Sequence, residues 1–212
     1  MILSREFYDR PTLDVARDLL GKVLVHTRLG RTTSGLIVEV EAYIGESDPA
    51  CHAAPGPTTR NAPLYGPSGY AYVYLNYGIH HLVNAVTEAR GMPAAVLIRA
   101  LDPLDGIATM RWRRSRGGKG RPVANGRAMP THELCRGPGN LTVAMGIGLG
   151  RNLEDLSGGR LYVEDRGIAP GPIAWGPRIG IRVGTDHPWR AYVPGHPAVS
   201  GRRRPDPARR TG

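Results

Sequence analysis

Cysteine is nearly absent from this chain: Cys51 and Cys135 stand alone among 212 residues. Two distant cysteines supply neither a disulfide framework nor a CxxC ligand pair, so both are expected as reduced, packed thiols. Histidines are scattered apart from His80-His81, and neighbours on a strand point to opposite faces, which is poor metal geometry. No metal or organic cofactor is expected. Long apolar runs are missing too: none reaches the roughly 18 residues of a membrane span. The opening "MILSREFYDRP" lacks the basic-then-apolar order of a secretory signal. A cytoplasmic protein is therefore expected. Lysine is as scarce as cysteine, with only Lys22 and Lys119.

What is abundant is arginine. Basic residues number 28 against 18 acidic ones, a formal charge of +10. Such an excess suits a polyanion, and the guanidinium fork matches phosphate geometry. Aromatic residues are few, with one Phe and three Trp, yet four of the nine Tyr fall within "GYAYVYLNYG", residues 69–78. On a strand Tyr70, Tyr72 and Tyr74 would share a face, and Tyr77 falls beside Gly78, where the chain can bend. Two readings stand: cross-strand aromatic pairs in an ordinary sheet, or a platform on which nucleobases stack.

Along the chain, "RPTLDVARDLLG" predicts a helix capped by Thr12, striped by Val15, Ala16, Leu19 and Leu20, and ended by Gly21. "KVLVH" and "TSGLIVEVEAYIG" read as strands. In the second, alternation places Leu36, Val38 and Val40 on one face, and Ile37, Glu39, Glu41 and Tyr43 on the other. A long Pro/Gly-rich loop, residues 46–69, precedes the Tyr strand, and loops of that length are often functional. "IHHLVNAVTE" and "AAVLIRALDP" are further strands, with Leu97 and Arg99 on one face. Helices are expected over residues 104–113 and about 139–146. Residues 111–132 have the composition of a mobile basic loop. "GRLYVED" and "GPRIGIRVG" read as strands, and residues 200–212 as a disordered basic tail. Interspersed strands and helices without βαβ spacing predict an α+β domain, mainly antiparallel, over residues 1–199.

Three positions invite chemistry. Glu41 ends an apolar strand as either a solvated edge residue or a placed base; Glu39 serves equally well, and spacing does not separate the two. Arg99, inside an apolar strand, needs a partner and is either a structural ion pair or part of a site. His52 is a loop histidine, exposed or functional.

The segments "GLIVEVEAYIGESDPACHA", "TTRNAPLYGPSGYAYVYLNYGIHHLVNAV", "AAVLIRALDPLDG" and "ELCRGPGNLTVAMGI" together resemble the alkyladenine (3-methyladenine) DNA glycosylases, in the family's order across residues 6–195. The resemblance implies a curved antiparallel sheet with flanking helices and a protruding β-hairpin that meets DNA. It implies that Glu41 of "EAY" is the catalytic carboxylate and that Arg99 helps hold the attacking water. Tyr43, His52, Tyr74 and Asn84 correspond to the pocket for the flipped base, and Tyr77 to the wedge that fills the gap. Arg60 is left as a contact to the DNA backbone. Tyr70 and Tyr72 match no functional position of the family and are assigned to sheet packing.

The implied activity is excision of damaged purines from double-stranded DNA: 3-methyladenine, 7-methylguanine, and by extension hypoxanthine or ethenoadenine. Neither lysine lies in a pocket motif, so no amine nucleophile for strand cleavage is evident. A water-using, monofunctional and monomeric enzyme, placed with the nucleoid in a bacterium, is expected. The rival is a basic nucleic-acid-binding module that stacks bases on Tyr without catalysis. A zinc deaminase would need a Pro-Cys-x-x-Cys motif, which is absent.

Overall fold

The computed structural model describes residues 1–116 and 129–201. Strands β1 (Val23–Arg28), β2 (Arg31–Ile44), β3 (Ala71–Asn76), β4 (His80–Val86), β5 (Ala94–Pro103) and β6 (Leu161–Glu164) lie in the order β3-β4-β5-β2-β1-β6. Two short strands, β7 (Ala174–Gly176) and β8 (Arg190–Tyr192), join through β8, which pairs with β2. Every pairing among these strands is antiparallel. The 14-residue β2 is the spine: β5 runs along one edge, while β1 and then β8 share the other. The α+β architecture is the one the sequence predicts.

Helices α2 (Thr12–Leu19), α3 (Ile107–Arg116) and α4 (Pro138–Met145) contribute Val15, Ala16, Leu19, Met110, Leu141, Ala144 and Met145 to one core. Ile37, Val40, Ala42, Val83, Val96 and Ile98 of the sheet pack into the same core. A short helix, α1 (Arg5–Tyr8), adds the buried Tyr8. Cys51 and Cys135 are buried, unbridged thiols. No helix among the described residues is long and apolar enough to cross a membrane.

Several local expectations are corrected. Thr12 is the first helical residue of α2, not its cap. Its hydroxyl instead meets Thr87 and donates to Glu88 at 2.5 Å, tying the helix to the end of β4. The third helix runs Ile107–Arg116, three residues later than predicted, so residues 111–116 belong to it and not to a loop. Residues 117–128 of the expected mobile loop lie outside the described residues, as do residues 202–212 of the expected tail. Ser200, assigned to that tail, is docked: its amide donates to Glu39 at 2.7 Å. Of "GPRIGIRVG", only Gly176 is in a strand, as the end of β7, and residues 177–184 run as an irregular segment.

The predicted two-face alternation of β2 is also interrupted. Between Ile37 and Val40 the register with β5 shifts twice, so Val38 on β2 and Arg99 on β5 have no direct cross-strand partner. Such bulges re-aim side chains. Ile37 therefore joins Val40 and Ala42 in the main core, while Val38 packs with Ala100 and Val193 in a separate small cluster. Beyond the bulge, simple alternation resumes and carries Glu39, Glu41 and Tyr43 on the face away from the main core.

Candidate active site

The sheet assembles the site as a row. Tyr72 of β3 lies opposite Asn84 of β4, Asn84 opposite Leu97 of β5, and Leu97 opposite Glu41 of β2. Directly paired residues on neighbouring strands share a face, so four side chains from four strands point the same way. Above this row is a cavity of about 680 Å³, lined by Tyr72, Asn84, Leu97, Arg99, Tyr43, His52 and Tyr74 among others, in the size range of small-ligand sites. The Pro/Gly-rich loop supplies Pro49 to His52 as one wall. The irregular segment Ile179–Val183 supplies another, and Gly137–Asn140 at the start of α4 a third.

Glu41 lies beneath this cavity and is fully buried, 0% exposed. Two hydrogen-bond donors and one ion-paired guanidinium surround its carboxylate. Tyr43 Oη donates to Oε2 at 2.8 Å, Arg99 Nη1 lies 3.1 Å from Oε2, and the amide of Ile179 donates to Oε1 at 2.6 Å. All three residues line the cavity. An ionised carboxylate offers about four acceptor positions, so the second lone pair of Oε1 is left for one further donor.

Glu39 is equally buried but differently engaged. Its carboxylate meets Arg99 Nε at 3.3 Å, Arg190 Nη1 at 2.9 Å and the Ser200 amide at 2.7 Å. Neither carboxylate lines the cavity itself, but of the partners of Glu39 only Arg99 does, whereas all those of Glu41 do. Arg99 therefore bridges two carboxylates and also lines the cavity.

The walls are aromatic. Tyr43 and Tyr74 both have phenol pKa values raised by burial, with Glu41 adding to the effect at Tyr43, so both stay neutral. His52 packs edge-on against Tyr74, ring centroids 4.4 Å apart. Burial, helped by the Arg60 charge, lowers its pKa, which favours neutral imidazole. Its Nδ1 is 2.9 Å from Tyr72 Oη, and Nε2 has no partner among the described residues. Asn84 Nδ2 donates to the Tyr72 carbonyl at 2.9 Å. That acceptor demands the amide nitrogen, so Oδ1 is the free end of Asn84.

Tyr72, assigned to sheet packing, does pack in a buried cluster with Cys51, Leu64 and Val86. Its ring also lines the cavity, with its hydroxyl 2.9 Å from His52 Nδ1, a contact that the packing assignment did not include. The alternation with Tyr74 was its available signal. Tyr70 does not share the pocket; it bridges to Asp155 with the Arg5 guanidinium 4.7 Å from its ring. Ile179 and Arg178, whose main-chain and side-chain donors reach back across the chain, were also missed.

Tyr77 stands at the cavity mouth, 85% exposed, at the tip of the β3–β4 hairpin. Tyr77 and Gly78 have φ of 47° and 68°, and Ile79 donates back to the Asn76 carbonyl. Two consecutive left-handed residues mark a tight hairpin turn, and a tyrosine there is strained. Arg60 is exposed, 5.7 Å from the Tyr74 ring.

The sequence matches the model of the Methylpurine-DNA glycosylase (MPG) family over residues 6–197. A protein of Burkholderia lata named "Putative 3-methyladenine DNA glycosylase" is 48% identical, with 94% of this chain and 91% of that protein covered. Proteins of the same name from Methanocella arvoryzae and Alkaliphilus oremlandii are 48% and 46% identical, covering 95% and 94% of this chain and 96% and 99% of their own.

Proposed function

The chain belongs to the methylpurine-DNA glycosylase family, and from that premise we propose that it excises alkylated purines from double-stranded DNA by hydrolysing the N-glycosidic bond. The observation that carries this reading is the buried Glu41 carboxylate at the end of the Tyr72–Asn84–Leu97 row, beneath a cavity walled by Tyr43, Tyr74 and His52.

A base inside a duplex must first leave the stack, at a cost of a few kcal/mol that is smallest for damaged or poorly paired bases. Tyr77, exposed on its hairpin tip, fits the role of a wedge that occupies the gap from the minor groove. The extruded purine enters between Tyr43 and Tyr74. Bases such as 3-methyladenine and 7-methylguanine are cationic, so neutral aromatic faces attract them beyond plain stacking. Asn84, held by its bond to the Tyr72 carbonyl, meets the base edge and excludes the exocyclic amine of normal guanine by occupying its space, a cost that the charge of 7-methylguanine offsets. His52, neutral and held by Tyr72, presents Nε2 to the base or its sugar phosphate.

The cationic base is already a good leaving group. As the bond lengthens the sugar gains oxocarbenium character, which ionised Glu41 stabilises electrostatically. Water donates one hydrogen to the free lone pair of Glu41 Oε1. Its oxygen attacks the anomeric carbon, the proton passes to Glu41, the base departs and an abasic site remains. Arg99, 3.1 Å from Glu41 Oε2, holds that carboxylate in place. Arg60 contacts the DNA backbone. Hypoxanthine and ethenoadenine, being neutral, need a proton donor as well, and are secondary substrates in this scheme.

A non-catalytic binding module would gain nothing from a carboxylate held by three partners beneath its stacking pocket. The deciding experiment follows free methylated purine from alkylated duplex with wild type and Glu41→Gln. Wild type is expected to release base, and the variant to lose at least ~10²-fold in rate while still binding the lesion duplex. Binding without release by wild type would establish the module instead.

A further inference from the structure

Behind Tyr43, on the side away from the pocket, the protein buries a second ion pair. Arg178 Nη1 and Nη2 donate to Asp48 Oδ2 and Oδ1 at 2.6 and 2.8 Å, and both side chains are 0% exposed. The same fork donates to the Ala42 and Gly184 carbonyls at 3.0 and 3.2 Å. Asp48 also accepts the Ile44 and Ala50 amides. The pair thus joins the end of β2, the long loop and the 177–184 segment.

The guanidinium is also one layer of a column. Its carbon lies 4.7 Å from the Tyr43 ring centroid and 5.1 Å from that of Trp189. His187 stacks on Trp189 at 4.1 Å and 8°. Tyr43 lines the cavity and Arg178 does not, so the cation sits on the covered face of the ring. Arg178 is followed directly by Ile179, whose amide holds Glu41 Oε1.

We propose that Arg178, paired with Asp48, is a specificity-determining positioning residue that sets, through the back of Tyr43, how strongly the pocket prefers cationic over neutral purines. This rests on the base-excision reading. A cation on the covered face draws on the same π system that attracts a positive base on the open face. Its full charge would repel that base through a low-dielectric wall, and the bidentate carboxylate cancels most of the charge while keeping the guanidinium flat against the ring. The balance of the pair therefore tunes the pocket without touching the substrate.

The two charges make opposite demands, which a loosened wall would not. Binding is measured with Glu41→Gln as the parent, so no lesion is consumed, using duplexes that carry cationic 7-methylguanine or neutral ethenoadenine. Asp48→Asn leaves a net cation behind Tyr43 and is expected to lower the cationic-to-neutral affinity ratio by on the order of fivefold. Arg178→Met leaves a net anion and is expected to raise it similarly, whereas Arg178→Lys, which keeps the charge, stays near the parent ratio. Equal losses for both lesions, or shifts of the same sign, overturn the proposal, because both describe a purely structural clamp. If Arg178→Met does not fold, Asp48→Asn decides alone: a lowered ratio supports the proposal and an unchanged one overturns it. Absence of any preference of the parent for lesion over undamaged duplex overturns the excision reading along with it.

Discussion

Glu39 and Glu41 are two residues apart, on one face, equally buried, and joined by Arg99. Their partners differ: Glu39 holds a second arginine and the Ser200 amide, whereas Glu41 holds a phenol and a main-chain amide that line the cavity. Removing one charge from a buried network strands its partners, typically at about 3–5 kcal/mol. Glu39→Gln strands parts of two guanidinium groups, so it is expected to lower the unfolding free energy read from urea titration by about 3–5 kcal/mol while sparing base release within about tenfold at low temperature. Glu41→Gln should show the reverse balance, a smaller stability loss with chemistry abolished. Equal activity loss in both variants would mean that Arg99 transmits Glu39's charge to the chemistry. Spacing alone left these carboxylates unresolved, since a period-two pattern says which face a residue takes but not what waits there. Tyr72 was legible only as sharing the face of Tyr74; its 2.9 Å contact with His52, 20 positions away, was not.

At the scale of elements, strands β1 to β6 were legible because apolar residues recur at short spacing between Gly and Pro punctuation. The bulges at Val38 and Arg99 were not, because "GLIVEVEAYIG" alternates without a visible fault and the shift exists only in pairing with β5. The 177–184 segment read as a strand from Ile179, Ile181 and Val183. Its hydrogen bonds run instead to Glu41 and from Arg178 to Asp48, more than 100 positions away. The β3–β4 tip was legible, since Gly78 announced a bend. Nothing lies within 4 Å of a Cβ built on Gly78, whose φ is 68°. Gly78→Ala therefore isolates the conformational cost of the turn, about 1 kcal/mol. The tip is exposed and makes no core contact, so the thermal midpoint is expected to move little. Single-turnover release of 7-methylguanine should slow by about fivefold, the equivalent of that cost, because fewer hairpins present Tyr77 correctly. A rate equal to wild type would show that Tyr77 does not depend on the turn.

For the whole molecule, the family resemblance and the family match cover nearly the same stretch, to residue 195 and residue 197, so the fold and the family were legible together. The remainder of the charge was legible only as composition. Residues 202–212 hold five arginines and one aspartate within the chain's net +10, a concentrated positive charge. It gives a reason to meet phosphates, since each neutralised phosphate releases counterions and steepens the salt dependence of binding. Ending the chain at Gly201 keeps Ser200, which donates to Glu39, and every described residue that lines the cavity. Its base-release rate at saturating enzyme is therefore expected to stay within about twofold of wild type. Affinity for undamaged duplex should fall, and the slope of log affinity against log salt should flatten by about 0.9 for every tail arginine that had met a phosphate. Titration of both chains between low and physiological salt reads this directly. An unchanged slope would assign the search for lesions to the folded body alone, and a collapsed rate would place the tail within the catalytic complex.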